Sequence, residues 1–335
     1  MADPSVHVWD GKLYIYPSHD WEPADFVEND NGDHFNMKDY HVLSLNGDDP
    51  MTSEVVDHGK VLDVADIPWA GRQLWDCDVA RKNGKYYMYY PLKDRNDIFR
   101  LGVAISDKPE GPFIPQPDPV RGSYSIDFAV FEEDGEYYMY FGGLWGGQLQ
   151  RYKDNKALES AYLPEGKEPA LPSRVVRLSE DMLGFAEEPK PVQILDEEGQ
   201  PLTADNPYRF FEASWMHKYN GKYYLSYSTG DTHYLCYAVG DNPYGAQLPM
   251  DQQQGKDMHP GGIGEAFKQV RNIVHDLFRG DRLHFGCLLS VFFLFYRNLP
   301  AVATYFFGRF SSSSIRRNSP SAKGYSPVSI SWLEF

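Results

Sequence analysis

An acidic residue stands six to nine positions before the glycine of each of four similar segments: Asp3 before Gly11, Asp78 before Gly84, Asp127 before Gly135 and Glu212 before Gly221. Carboxylates repeated at one place in a repeating unit converge wherever the units surround an axis. Several of them at one channel repel each other strongly, unless some hold protons or a reaction needs them. Neighbouring carboxyls whose surroundings push their pKa values apart supply a general acid and a general base together. Glycoside hydrolysis asks for that pair: one carboxylic acid protonates the leaving oxygen, and a second carboxylate activates water or attacks carbon. The plain alternative is that each carboxylate caps a surface turn.

The elements that must position them are legible in the same segments. They read Asp10-Gly11-Lys12-Leu13-Tyr14-Ile15-Tyr16, Asn83-Gly84-Lys85-Tyr86-Tyr87-Met88-Tyr89, Asp134-Gly135-Glu136-Tyr137-Tyr138-Met139-Tyr140 and Asn220-Gly221-Lys222-Tyr223-Tyr224-Leu225-Ser226-Tyr227. Asp-Gly and Asn-Gly make tight hairpins because both residues accept positive φ. The aromatic and aliphatic runs suit half-buried strands. The glycines are 73, 51 and 86 residues apart, which are blade-sized intervals. Further strand-like runs over 99–106 and 234–239 lead into Pro- and Gly-containing turns at 107–112 and 241–245. Radially arranged four-stranded sheets, a β-propeller, fit this all-β pattern better than a sandwich.

Composition bounds the function. With 335 residues, 42 % apolar and 24 % charged, the chain builds a sizeable core and is not disordered. A formal charge of −16 argues against a nucleic-acid partner, since phosphate contacts need clustered Lys and Arg. Three cysteines exclude a disulfide scaffold and a four-cysteine metal site; Cys77 and Cys236 read as buried thiols. No Gly-rich loop followed by Lys-Ser/Thr proposes a triphosphate site. Twenty-four tyrosines and seven tryptophans exceed what a core asks for, and suit ligands that have apolar faces and hydroxyls, as sugars do.

Trp75, Trp145 and Trp215 are candidates to stack on a sugar ring, against packing at blade junctions. Asp78 is a candidate for a sugar hydroxyl, Arg151 for substrate or for balancing the carboxylates, and His233 for the channel mouth. His19, His34 and His41 stand near Asp20, Asp33 and Asp39, at spacings that match no zinc signature, so no metal ligand is assigned.

Ala2-Asp3-Pro4, Trp75-Asp76-Cys77-Asp78, Ser123-Tyr124-Ser125-Ile126-Asp127, Gly142-Gly143-Leu144-Trp145-Gly146-Gly147 and Phe210-Phe211-Glu212-Ala213-Ser214-Trp215 occur in this order. Over residues 2–245 the chain resembles glycoside hydrolase family 43. The resemblance implies a five-bladed β-propeller that hydrolyses xylosides, arabinosides and related pentose glycans with inversion. It implies Asp3 as general base, Glu212 as general acid and Asp127 as the residue that tunes the acid's pKa and orients the sugar. Burial beside Phe211 and Trp215 is expected to help Glu212 keep its proton. No cofactor is required. The family's central cation or water is held by an inward-facing His of a fifth blade; that ligand is not identified in this sequence. Long insertions around His19–Tyr40 and Val61–Arg72 are expected to wall off one end of the channel and favour exo action.

After Gly245 the pattern stops. Residues 1–246 read as a propeller of about four blades, with the fifth missing or degenerate, and 247–335 as an atypical, irregular and partly helical tail. Within it, 247–260 is rich in Gln and Gly, 263–279 has helical spacing, and Phe285 to Tyr296 is almost wholly apolar. Twelve residues fall short of the roughly 20 that span a bilayer, so membrane association is not expected. A basic, Ser/Pro-rich end follows. No signal peptide opens the chain, which reads as cytoplasmic as written and as extracellular if residues precede Met1; localisation stays open. A carbohydrate-binding or inactive propeller and a tail-anchored protein are the alternatives, and no protein partner is indicated.

Overall fold

The computed structural model describes residues 2–21, 29–46, 53–219, 221–230, 235–245 and 248–249. Each of the four repeated segments begins the second strand of an antiparallel sheet. The first blade runs in order through β1 (Ala2–Trp9), β2 (Lys12–Trp21), β3 (Asn36–Asn46) and β4 (Val56–Asp63). In the second, β5 (Ala70–Leu74) and β6 (Asp78–Lys82) both pair with β7 (Lys85–Asp94), followed by β8 (Phe99–Ser106) and β9 (Ile114–Pro115). The third orders β10 (Ala129–Glu133), β11 (Glu136–Phe141), β14 (Ser173–Arg177) and β15 (Lys190–Val192). Its β11–β14 connection carries a small separate hairpin, β12 (Tyr152–Lys153) with β13 (Lys156–Ala157). The fourth is β16 (Phe210–Tyr219), β17 (Lys222–Thr229), β18 (Leu235–Gly240) and β19 (Leu248–Pro249). The first strands meet in sequence, β1 with β6, β6 with β10, and β10 with β16. This is a β-propeller of four blades, and no fifth four-stranded sheet occurs among the described residues.

The positive φ that the hairpin glycines were expected to need is present: Gly11, Gly84 and Gly135 lie at +80°, +76° and +83°. The tyrosines, however, serve chiefly the scaffold rather than a ligand surface. Tyr16, Tyr40, Tyr89, Tyr90, Tyr124, Tyr140 and Tyr227 are among the largest fully buried side chains. The tyrosine five residues after each of the first three repeat glycines reaches across to the neighbouring blade. Tyr16 donates to the carbonyl of Pro109 at 2.9 Å, Tyr89 to Met182 at 3.0 Å and Tyr140 to Pro243 at 2.8 Å. Each ring thus packs in an inter-blade core while its hydroxyl satisfies a turn carbonyl. Phenylalanine at these places would keep the packing and orphan the carbonyl.

The tail beyond residue 249, including the helix-like segment and the apolar run, lies outside the described residues. Among the described residues no helix is long and apolar enough to cross a membrane.

Candidate active site

The first strands of the blades begin irregularly, and the irregularities carry the carboxylates. The β1–β2 register shifts between Ala2 and Ser5, and Asp3 there has φ +42°. In β16 the register shifts on both sides of Glu212, and Ala213 has φ +60°. Asp127, just ahead of β10, has φ +59°. Positive φ is uncommon for residues with a Cβ, and bulges re-aim side chains next to active sites. These bulges turn carboxylates that would otherwise alternate along a strand into one cavity. Asp3, Asp76, Asp127 and Glu212 all line it, together with Ser5, Phe35, Met37, Trp75, Cys77, Asp78, Ile126, Phe128, Ala129, Ala213, Ser214 and Trp215.

Asp76 is the member that the sequence reading overlooked. It stands eight residues before Gly84, as Asp3 and Asp127 stand eight before Gly11 and Gly135. Asp76, not Asp78, is therefore the second blade's equivalent of these carboxylates. Glu212 is nine before Gly221 because its strand carries the extra residue of a bulge. Asp76 and Asp127 are hydrogen-bonded to each other, so one of them holds a proton. Enclosure by protein, then the charge of Asp3, raises Asp76 from 3.8 to about 7. Enclosure, then Asp76 and Glu212, also pushes Asp127 well above the carboxylate range. The two behave as one proton-sharing pair.

Asp127 also reaches the neighbouring blade. Its Oδ2 accepts the Ala213 N–H at 2.6 Å, fixing the backbone immediately after Glu212. A glycine-rich loop braces the same place. Gly143 N–H donates to Ser125 Oγ at 3.0 Å, and Leu144 N–H to the Phe211 carbonyl at 3.1 Å. A Cβ on Gly143 or Gly147 would come within 2.6 or 2.7 Å of Ile126 Cδ1, so only glycine lets the loop lie so close.

The other candidates separate into two groups. Trp75 is 8 % exposed and lines the cavity, edge-on to Phe35 at 5.6 Å and against Phe99 at 4.6 Å. Its Nε1 and the Ser5 Oγ are buried without a hydrogen-bond partner, which leaves two polar atoms on cavity-lining residues unsatisfied. Trp215 lines the cavity 6.1 Å from the His7 ring. Trp145 and Arg151 are not among the lining residues. Trp145 is 40 % exposed and edge-on to Phe211, while Arg151 Nη2 lies 3.4 Å from Asn31 Oδ1. His233 falls outside the described residues.

Asp78 touches the cavity but is committed to the scaffold. His7 Nε2 lies 2.6 Å from its Oδ1, which also accepts the Val79 N–H at 2.8 Å; Oδ2 accepts the Val130 N–H at 2.7 Å. One carboxylate thus ties the first strands of three blades. Asp78→Ala strands those donors in a buried place and is expected to cost ~3 kcal/mol. Thermal unfolding reads this as a Tm lower by roughly 6–12 °C; an unchanged Tm would contradict the role.

Strand pairing also brings His19, Asp39 and His41 together, with ligand atoms all within 4.8 Å of one another. A His/Asp cluster able to coordinate a metal ion is therefore present, where linear spacing indicated none. None of the three lines the cavity. The central cation implied by the resemblance would take an imidazole in the channel. Among the described residues no histidine lines the cavity, so these residues do not fit it and no step is routed through it.

Comparison with known proteins gives the family. Residues 1–258 match Glycosyl hydrolases family 43. A xylosidase/arabinosidase of Bacteroides ovatus is 75 % identical over 247 residues, covering 73 % of this chain and 75 % of that protein. The solved structure of RS223-β-xylosidase is 71 % identical with a TM-score of 0.72, covering 74 % of this chain and 77 % of that one. CoXyl43, a β-xylosidase/α-arabinofuranosidase from a compost microbial metagenome solved with xylotriose in calcium-free form, is 59 % identical with a TM-score of 0.70, covering 74 % of this chain and 76 % of that one. The chain belongs to glycosyl hydrolase family 43 and is an enzyme of the glycosidase class.

Proposed function

We propose that the protein hydrolyses terminal xylosyl or arabinofuranosyl linkages of short pentose glycans, with inversion at the anomeric carbon. The observation that carries this reading is the convergence of Asp3, Asp127 and Glu212 on one cavity. The names of its relatives, xylosidase/arabinosidase and β-xylosidase, supply the sugar.

In this reading Asp3 takes a proton from a water molecule as its oxygen bonds to the anomeric carbon. The bond from that carbon to the leaving oxygen breaks, and Glu212 gives its proton to that oxygen. Proton exchange with solvent then restores both carboxyls. Asp127 holds the Glu212 backbone through Ala213, which keeps the acid aimed at the leaving oxygen. Trp75 Nε1 and Ser5 Oγ take up sugar hydroxyls, because a ligand there satisfies atoms the protein leaves unpaired. Trp215 offers its ring, and Asp78 fixes the channel beneath it. Trp145 and Arg151 act from outside the cavity lining. Phe35 and Met37, at the start of β3, wall one side, which supports exo action. Water and carboxylates balance the reaction, so no cofactor is needed.

Proton NMR of the first-formed product tests the stereochemistry. An aryl β-xyloside is expected to yield α-xylose before mutarotation; β-xylose appearing first would overturn inversion. The ratio of kcat/KM for aryl β-xyloside and aryl α-arabinofuranoside names the preferred glycone.

A further inference from the structure

We propose that His19, Asp39 and His41 form a site for a zinc-class divalent ion, separate from the carboxylate cavity, that clamps β2 to β3. His19 and Asp39 face each other across the antiparallel pair, and His41, two residues beyond Asp39, projects from the same face. His19 Nδ1 lies 2.7 Å from Asp39 Oδ1, and the two imidazole rings are 5.2 Å apart and nearly perpendicular. Ligands of a tetrahedral ion at 2.0–2.1 Å stand about 3.3 Å apart. Side-chain rotation alone closes the observed cluster to that size, because its ligand atoms already lie within 4.8 Å.

The donor set selects the ion. Two imidazoles and one carboxylate suit zinc, cobalt or nickel, whereas calcium and magnesium take oxygen ligands. Asp39 is 4 % exposed, while the His19 and His41 side chains keep 25 % and 20 % exposure, which leaves an entry path and a water position. Asp57 Oδ1 stands 3.4 Å from His41 Nδ1, where a carboxylate orients a ligating histidine and leaves Nε2 for the ion. The start of β3 brings Phe35 and Met37 to the cavity, so a clamp at Asp39 and His41 stiffens the base of that wall.

The test titrates the EDTA-treated full chain with zinc by calorimetry, beside His19→Gln and His41→Gln. One ion per chain is expected, lost in both variants and weakened about 10–100-fold in Asp57→Asn. The exposed Trp21 ring lies 4.7 Å from His19, so cobalt is expected to quench fluorescence in the wild type and much less in Trp21→Phe, with binding kept. This second readout needs neither histidine variant to fold. Absence of binding, or binding and quenching unchanged in folded His19→Gln and His41→Gln, would overturn the site. Neither result depends on hydrolysis.

Discussion

Glu212→Gln is expected to lower kcat on an aryl β-xyloside by about 10²–10⁴-fold, the span that a positioned general acid contributes. The loss is expected to depend on the leaving group. A nitrophenolate with a low pKa departs with little protonation, so its hydrolysis falls least; an alkyl or sugar leaving group needs the proton and falls most. Asp3→Asn is expected to lose activity whatever the leaving group, since attack by the activated water accompanies every departure. Steady-state kinetics on two or three aglycones separates the two roles. Equal losses for all leaving groups in Glu212→Gln would remove the acid from that residue. The bulge geometry makes this a clean comparison: glutamine keeps the side-chain volume and the Ala213–Asp127 bond does not involve the Glu212 side chain.

Asp76→Asn is expected to make the protein more stable and less active. The folded-state pKa of Asp76 is raised from 3.8 to about 7. Between those values the folded state holds a proton that the unfolded chain has released, so stability falls as pH rises through that window. Above pH 7 the full cost is present, about 4 kcal/mol. Asparagine removes the ionisation. Its Tm at pH 7.5 is expected to exceed the wild type by several degrees, at about 2–4 °C per kcal/mol, and the two curves should converge near pH 4. The same change takes one carboxyl of the proton-sharing pair from the cavity that holds Asp127 and Glu212, so kcat is expected to fall. A Tm no higher than wild type at pH 7.5, or an undiminished kcat, would detach Asp76 from the proton-sharing pair.

How much of this was legible in the sequence follows from range. The blades were legible because each hairpin is local: Asp-Gly or Asn-Gly followed by a tyrosine-rich strand carries its own turn chemistry. Asp3, Asp127 and Glu212 were legible because they recur at the same place in the repeat. Asp76 was equally visible at the eight-residue offset, but Asp78, two residues on, lies on the same strand face by simple alternation and drew the assignment. Only the structure shows Asp78 occupied by His7 and two backbone N–H groups. The tyrosine content suggested a ligand surface, whereas the hydroxyls of Tyr16, Tyr89 and Tyr140 fasten one blade to the next. That pairing joins residues 93 to 103 positions apart, which no local pattern reveals. The cluster of His19, Asp39 and His41 was hidden for the same reason, since it depends on the register of β2 against β3.

The most direct test of the central claim is the release of xylose from xylotriose by the intact 335-residue chain, measured at early times beside Glu212→Gln and Asp3→Asn. The carboxylate cavity predicts xylose and xylobiose in equal amounts from the wild type, and loss of both products in each variant. A folded chain that releases no xylose, or that releases it undiminished in both variants, would contradict it.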